Sequence, residues 1–201
     1  MRTQKDATFM NIPNLLTLFR IVLIPVFVVF YYLPGNWSNI AAAVIFLLAA
    51  LTDWLDGYLA RVLNQSSPFG AFLDPVADKL MVAFALVLLV ADENLPYIAV
   101  PAAIIVCREI AVSALREWMA ELGKRASVAV SFIGKVKTVI QMLSIVLLLA
   151  CNPLHAGLLM LVGYITLYVA ALLTLWSMLM YLKAAWPTFE INSKKSVDIE
   201  K

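Results

Sequence analysis

Residues 41–91 read AAAVIFLLAALTDWLDGYLARVLNQSSPFGAFLDPVADKLMVAFALVLLVA. Two apolar runs, Trp37–Leu63 and Phe69–Ala91, flank the polar breaker Asn64-Gln65-Ser66-Ser67-Pro68. Each run is long enough to cross the ~30 Å hydrocarbon layer of a bilayer as a helix. Neither alternates strictly, so both are read as helices and not as barrel strands. Yet each carries acids: Asp53 and Asp56 in the first, Asp74 and Asp78 in the second. On a helix, Asp53, Asp56, Gly57 and Ala60 stand at i, i+3, i+4, i+7 and share one face, and Gly70, Asp74 and Asp78 at i, i+4, i+8 share another. Counted outward from the turn, Asp56 and Asp74 fall at similar depth, with Asp53 and Asp78 one turn further in. At a rise of 1.5 Å per residue the four carboxylates lie roughly 10–20 Å from the turn. Ionised groups at that depth are costly, which makes them a functional-site signal. So many carboxylates together cannot all stay ionised without a compensating cation.

The pattern extends outward. Further apolar runs occupy Ile12–Leu33, Leu95–Ala114, Ser131–Cys151 and Leu158–Leu182. Over the 201 residues, 63% are hydrophobic and 14% charged, which excludes a water-soluble domain and a disordered chain. The expected fold is all-α: a polytopic membrane protein, a bundle of six transmembrane helices within a single domain over residues 1–187. A polar, loosely ordered cytoplasmic tail is expected over 188–201. The N-terminus lacks the cleavage pattern of a secretory signal.

Charge placement gives the orientation. Arg2, Lys5, Arg61, Arg116, Lys124, Arg125, Lys135, Lys137, Lys183, Lys194, Lys195 and Lys201 fall on one side of a six-span bundle, while the turns at Pro34, Asp92-Glu93 and Pro153 hold no Lys or Arg. Both termini are therefore expected in the cytoplasm. A net charge of +2 offers no dense basic patch for nucleic acid. Cys107 and Cys151 lack CxxC spacing, and His155 is the one histidine, in a short loop. No disulfide framework, zinc site or histidine triad is expected.

Carboxylates with no sulfur or imidazole nearby suit a hard divalent cation, Mg²⁺ or Mn²⁺. Two such ions can clamp a phosphoryl group and stabilise a leaving oxygen. Gly57, Ala60 and Gly70 leave room on the same faces for a flat or extended ligand, or for close helix packing. Arg61, at the membrane surface, either grips a phosphate or snorkels to the head groups.

Written out, the segment is Asp53-x2-Asp56-Gly57-x2-Ala60-Arg61-x8-Gly70-x3-Asp74-x3-Asp78. It resembles, at all eight positions, the signature of the CDP-alcohol phosphotransferase family. The similarity continues through Asn11-Ile12-Pro13-Asn14 to Arg20, Arg108-Glu109-Ile110, Ala114-Leu115-Arg116-Glu117-Trp118-Met119-Ala120 and Gly134-Lys135-Val136-Lys137-Thr138, as in bacterial members that use glycerol 3-phosphate. The resemblance implies transfer of the phosphatidyl group from CDP-diacylglycerol to sn-glycerol 3-phosphate with release of CMP. It implies divalent metal on Asp53, Asp56, Asp74 and Asp78, with Asp78 also the general base. It implies a nucleotide pocket shaped by Gly57, Ala60, Arg61 and Gly70. It also implies a homodimer in the bacterial inner membrane, its active site facing the cytoplasm. The signature reports the donor chemistry, so serine, inositol phosphate or phosphatidylglycerol stand as alternative acceptors.

An acceptor that carries a phosphate calls for a second basic cluster. Arg108, Arg116, Lys135 and Lys137 are its candidates, with Arg108 and Arg116 two turns apart on nearly one face; positive-inside topology is the plainer reading. Glu109 is placed to pair within the bundle. Asn14, Thr17 and Arg20 recur at three-residue spacing on one broad face of the first helix, placed for the nucleotide and donor phosphates or for head-group anchoring. The tryptophans and tyrosines are read as interface anchors and core. Outside this family, a cation transporter would also line a bundle with carboxylates, and a structural membrane adaptor would need none of them.

Overall fold

A computed structural model describes residues 12–35, 37–62, 68–122, 132–151 and 157–199. Among them are six helices and no strand: α1 (Ile12–Tyr32), α2 (Ser38–Val62), α3 (Pro68–Ala91), α4 (Ala99–Glu121), α5 (Phe132–Ala150) and α6 (Gly157–Ile199). The chain divides into two compact units. One comprises Met1–Pro96 with Ser144–Tyr164, and the other Tyr97–Leu143 with Ile165–Lys201. The all-helical expectation holds. His155, Lys124, Arg125 and the segment through Asn11 lie outside the described residues.

In the first unit α1 packs against both α2 and α3. Its buried stripe runs Asn14, Thr17, Arg20, Ile24, Phe27, the spacing of one helical face. Phe27 meets Phe46 of α2 with ring centroids 6.3 Å apart, and the buried Ala42, Ala43 and Ala49 of α2 keep the neighbouring surface low enough for close approach. The outward face of α1 is Leu15, Phe19, Val22 and Val29. Arg20 is 1% exposed, while Val22, two residues on, is 59% exposed. A helix that hides its charge and displays its apolar side chains is inverted relative to a water-soluble one, and lipid is the solvent that favours it. In the second unit α6 follows the same rule: Ile165, Leu172 and Leu179 point outward, while Leu167, Ala170, Thr174, Ser177 and Tyr181 are buried.

Among the described residues two segments, Asn14–Tyr32 and Gly157–Lys183, are long and apolar enough to cross a membrane, and shorter apolar stretches lie at Ser38–Asp53 and Val136–Ala150. In α2, α3 and α4 the apolar run is interrupted by Asp53, Asp56, Asp74, Asp78, Lys79, Arg108 and Glu109, most of them the candidate site residues themselves.

Two elements differ from the sequence expectation, and α4 does so at both ends, continuing past Ala114 to Glu121. The fourth run was expected to begin at Leu95, but α4 starts at Ala99. Residues 92–98 turn instead. Asp92 Oδ1 accepts from the Asn94 backbone N–H at 2.9 Å, an Asx turn, and Leu95 N–H bonds Asp92 O at 3.0 Å. Leu95 and Ile98 are buried, so their hydrophobicity plugs a loop and does not extend a helix. Tyr97 takes φ 66°, which breaks the helical path. Pro68 opens α3 and Pro101 lies in the first turn of α4, where a missing N–H costs nothing. The second difference is that α6 continues to Ile199, through most of the tail expected to be loosely ordered.

Gly163 of α6 sets a tight approach to α5. A Cβ built there would lie 2.9 Å from Leu148 Cδ2 and Cγ. Gly163→Leu is expected to lower stability by about 1–3 kcal/mol through overpacking, read as a lower thermal midpoint in detergent; an unchanged midpoint would show the contact to be loose.

Candidate functional site

The acidic residues were expected to meet across the α2–α3 hairpin. In the structure α2 and α3 touch each other over little surface, and α1 makes the larger contacts with both. The acids are joined through it. Arg20 donates from Nη1 to Asp53 Oδ1 at 2.8 Å and from Nη2 to Asp56 Oδ2. Thr17 Oγ1 donates toward Asp74 Oδ1 and lies 3.5 Å from Asp56 Oδ2. Asp53, Asp56 and Asp74 are thus linked in one chain of hydrogen bonds, two side chains of α1 serving as the bridges. Asp56 is 3% exposed and the Asp53 side chain 44%, so the cluster runs from the helix packing outward to an open edge. Asp78 follows Asp74 by one turn of α3 and is half-buried. Gly70 is buried on the same helix and Asn14 on α1.

The structure adds a partner that the reading of α1 did not name: Thr17 and Arg20, expected to face nucleotide or head groups, bond the acids. The missed signal was electrostatic: Arg20 is a cation in an apolar run, and its nearest compensation in the first unit is the acidic pair. Arg20 Nε is buried with no hydrogen-bond partner, so the fork reaches for the carboxylates at the expense of its third donor. At Gly57, Ala60 and Arg61 the structure describes only the helical backbone of α2.

The donor set fits a hard divalent cation. Asp53, Asp56, Asp74 and Asp78 supply oxygen ligands only, and the Arg20 guanidinium offsets one of their four negative charges. Among the described residues no three such side chains yet close on one point at ligating range.

The second unit holds a basic constellation. Arg108 of α4 is 6% exposed; its Nη1 donates to Glu109 Oε1 at 3.0 Å and its Nη2 to Ser177 Oγ of α6 at 2.8 Å. Lys137 of α5, also buried, donates to the same Glu109 oxygen. Arg116, two turns along α4, donates to the Tyr181 hydroxyl at 2.7 Å. Both guanidiniums face the Tyr181 ring, with Cζ 5.7 Å (Arg108) and 5.0 Å (Arg116) from its centroid. Three of the four predicted cations are therefore assembled; the Lys135 side chain is not described. Glu109 pairs within the bundle as expected. Tyr181, expected as an anchor or core residue, is buried in the core and there is also a platform for two arginines. Ser177 and Tyr181 were missed, although Thr174, Ser177 and Tyr181 at i, i+3, i+7 trace a polar stripe down an apolar helix.

Comparison with known proteins identifies the family. The model of the CDP-alcohol phosphatidyltransferase family matches residues 10–180. A Pseudomonas fluorescens protein named CDP-diacylglycerol–glycerol-3-phosphate 3-phosphatidyltransferase is 56% identical over 191 residues, covering 94% of this chain and 97% of the relative. Proteins of the same name from Escherichia coli strain K12 and Shigella flexneri serotype 5b are 58% and 59% identical over 175 residues, covering 87% of this chain and 94% of each relative. The acids at their signature spacing, the match across nearly the whole chain and these relatives agree: the chain belongs to the CDP-alcohol phosphatidyltransferase family.

Proposed function

We propose that this protein transfers the phosphatidyl group of CDP-diacylglycerol to sn-glycerol 3-phosphate, giving phosphatidylglycerophosphate and CMP. The observation that carries the reading is the joining of Asp53, Asp56 and Asp74 through Thr17 and Arg20, supported by relatives at 56–59% identity that bear that activity's name. An enzyme family accounts for these acids, and no observation favours a transporter or an adaptor.

Asp53, Asp56, Asp74 and Asp78 would hold divalent metal, two ions of Mg²⁺ or Mn²⁺, whose charge would neutralise the donor pyrophosphate and make CMP a tolerable leaving group. Gly57, Ala60, Arg61 and Gly70 shape the nucleotide pocket, and Asn14 and Thr17 line its α1 side. Asp78 accepts the proton of the acceptor hydroxyl. The hydroxyl oxygen forms its bond to the phosphatidyl phosphorus as the bond from that phosphorus to the CMP oxygen breaks. Arg108, Arg116, Lys135 and Lys137 hold the acceptor's phosphate. Arg20 keeps the acid cluster from repelling itself apart.

Inverted burial in α1 and α6 supports a membrane setting, since donor acyl chains stay in lipid while the second substrate arrives from water. The chain is read as six spans in the bacterial inner membrane, both termini and the active site cytoplasmic, the catalytic domain ending near residue 187, and the protein a homodimer.

The test supplies CDP-diacylglycerol in detergent with glycerol 3-phosphate, serine, inositol phosphate or phosphatidylglycerol in turn, and measures CMP release. Glycerol 3-phosphate alone is expected to support turnover. Turnover with serine and none with glycerol 3-phosphate would overturn the acceptor assignment.

A further inference from the structure

We propose that Glu109 and Tyr181 are positioning residues that hold Arg108, Arg116 and Lys137 as a preassembled receptor for a phosphate monoester anion. The inference rests on the reading that these cations bind the acceptor's phosphate.

Three cations in a mostly apolar bundle repel one another and would splay apart. Two supports prevent this. Glu109 Oε1 takes one hydrogen bond from Arg108 and another from Lys137, tying α4 to α5 through a single oxygen. The Tyr181 ring, itself buried, faces both guanidiniums and its hydroxyl accepts from Arg116, tying two turns of α4 to α6. Ser177 adds a further hold on Arg108. Each cation is thus fixed from the side by a group that is not its final partner.

Two further observations point to an anion. Arg108 is 6% exposed, yet its Nε is buried without a hydrogen-bond partner, an unspent donor that a protein seldom leaves in place for structure alone. The buried charge is also unbalanced: among the described side chains Arg108 and Lys137 share the one acid Glu109, and Arg116 brings a further cation at the exposed edge. That surplus of positive charge suits a phosphate monoester anion. Glu109 is needed because without it Arg108 and Lys137 separate before the ligand binds, and the ligand must then order them.

The experiment measures KM for glycerol 3-phosphate and for CDP-diacylglycerol, together with kcat, in Glu109→Gln, Tyr181→Phe and Tyr181→Leu. Inorganic phosphate serves as a competitive probe of the same site. Glu109→Gln is expected to raise the acceptor KM about tenfold, the effect of losing a charge-assisted hold on two cations, with kcat and donor KM unchanged and phosphate inhibition weakened in parallel. Tyr181→Phe, which removes only a hydroxyl and leaves the core filled, is expected to raise it roughly threefold, and Tyr181→Leu more. A fall in acceptor KM for Glu109→Gln would mean that the carboxylate competes with the phosphate, and would overturn the proposal. So would equal changes in donor and acceptor parameters, or no change in any of the three variants. Lys137→Met separates the two levels: if it leaves the acceptor KM unchanged, the phosphate assignment itself fails; if it raises that KM while the Glu109 and Tyr181 variants do not, only the positioning role fails.

Discussion

Asp78→Asn is expected to abolish CMP release, by on the order of 10²–10⁴-fold, the range of a lost general base. The amide keeps the size of the carboxylate but cannot take a proton. Asp78 stands one turn beyond Asp74 on α3 and is half-buried, so the exchange fills the same space and removes one of several like charges. The thermal midpoint in detergent should hold or rise. Loss of turnover with the fold intact therefore separates chemistry from structure. Turnover within tenfold of the parent enzyme would take the base role away from Asp78 and direct attention to Asp53, whose side chain is 44% exposed.

The second large effect falls on stability. Arg20→Met is expected to cost about 3–5 kcal/mol, the penalty for breaking a buried ion pair and leaving its partner uncompensated. Methionine fits the volume, but Asp56 is then buried with its strongest counter-charge gone. Arg20→Lys should fall between, because a single ammonium cannot span Asp53 and Asp56 as the guanidinium fork does. Arg20→Met combined with Asp56→Asn should recover much of the loss, since the stranded charge has been removed as well. The measurement is the thermal midpoint in detergent with chelator present, which keeps metal from substituting for the arginine. A midpoint equal to that of the parent protein would show that the two salt bridges contribute nothing to the fold.

Both expectations turn on α1, where sequence and structure part company most. Spacing alone placed Asn14, Thr17 and Arg20 on one face, and they are buried together. Spacing did not say what that face meets. Its partners are 33 to 57 residues away in the chain, and a helical period carries no information at that range. The same limit applies to Tyr181. As a tyrosine near the end of an apolar helix it reads as an interface anchor, and only the packing of α6 against α4 turns it into a seat for two arginines. Leu95 failed in the other direction: its hydrophobicity was legible, but a loop plug and a helix start look alike without the Asx turn and the broken path at Tyr97.

The amino-acid order by itself determined that the chain is helical, that its runs are too apolar for water, and that four acids share two helix faces. These are local properties, fixed by hydrophobic runs, by a period of 3.6 residues, and by the cost of placing charge among apolar neighbours. Tertiary structure alone decided which cation answers which acid: Arg20 for Asp53 and Asp56, and Arg108 with Lys137 for Glu109. The physical reason is that an ionised group at low dielectric takes whichever counter-charge the packing brings within hydrogen-bond reach, and that choice belongs to the arrangement of whole helices.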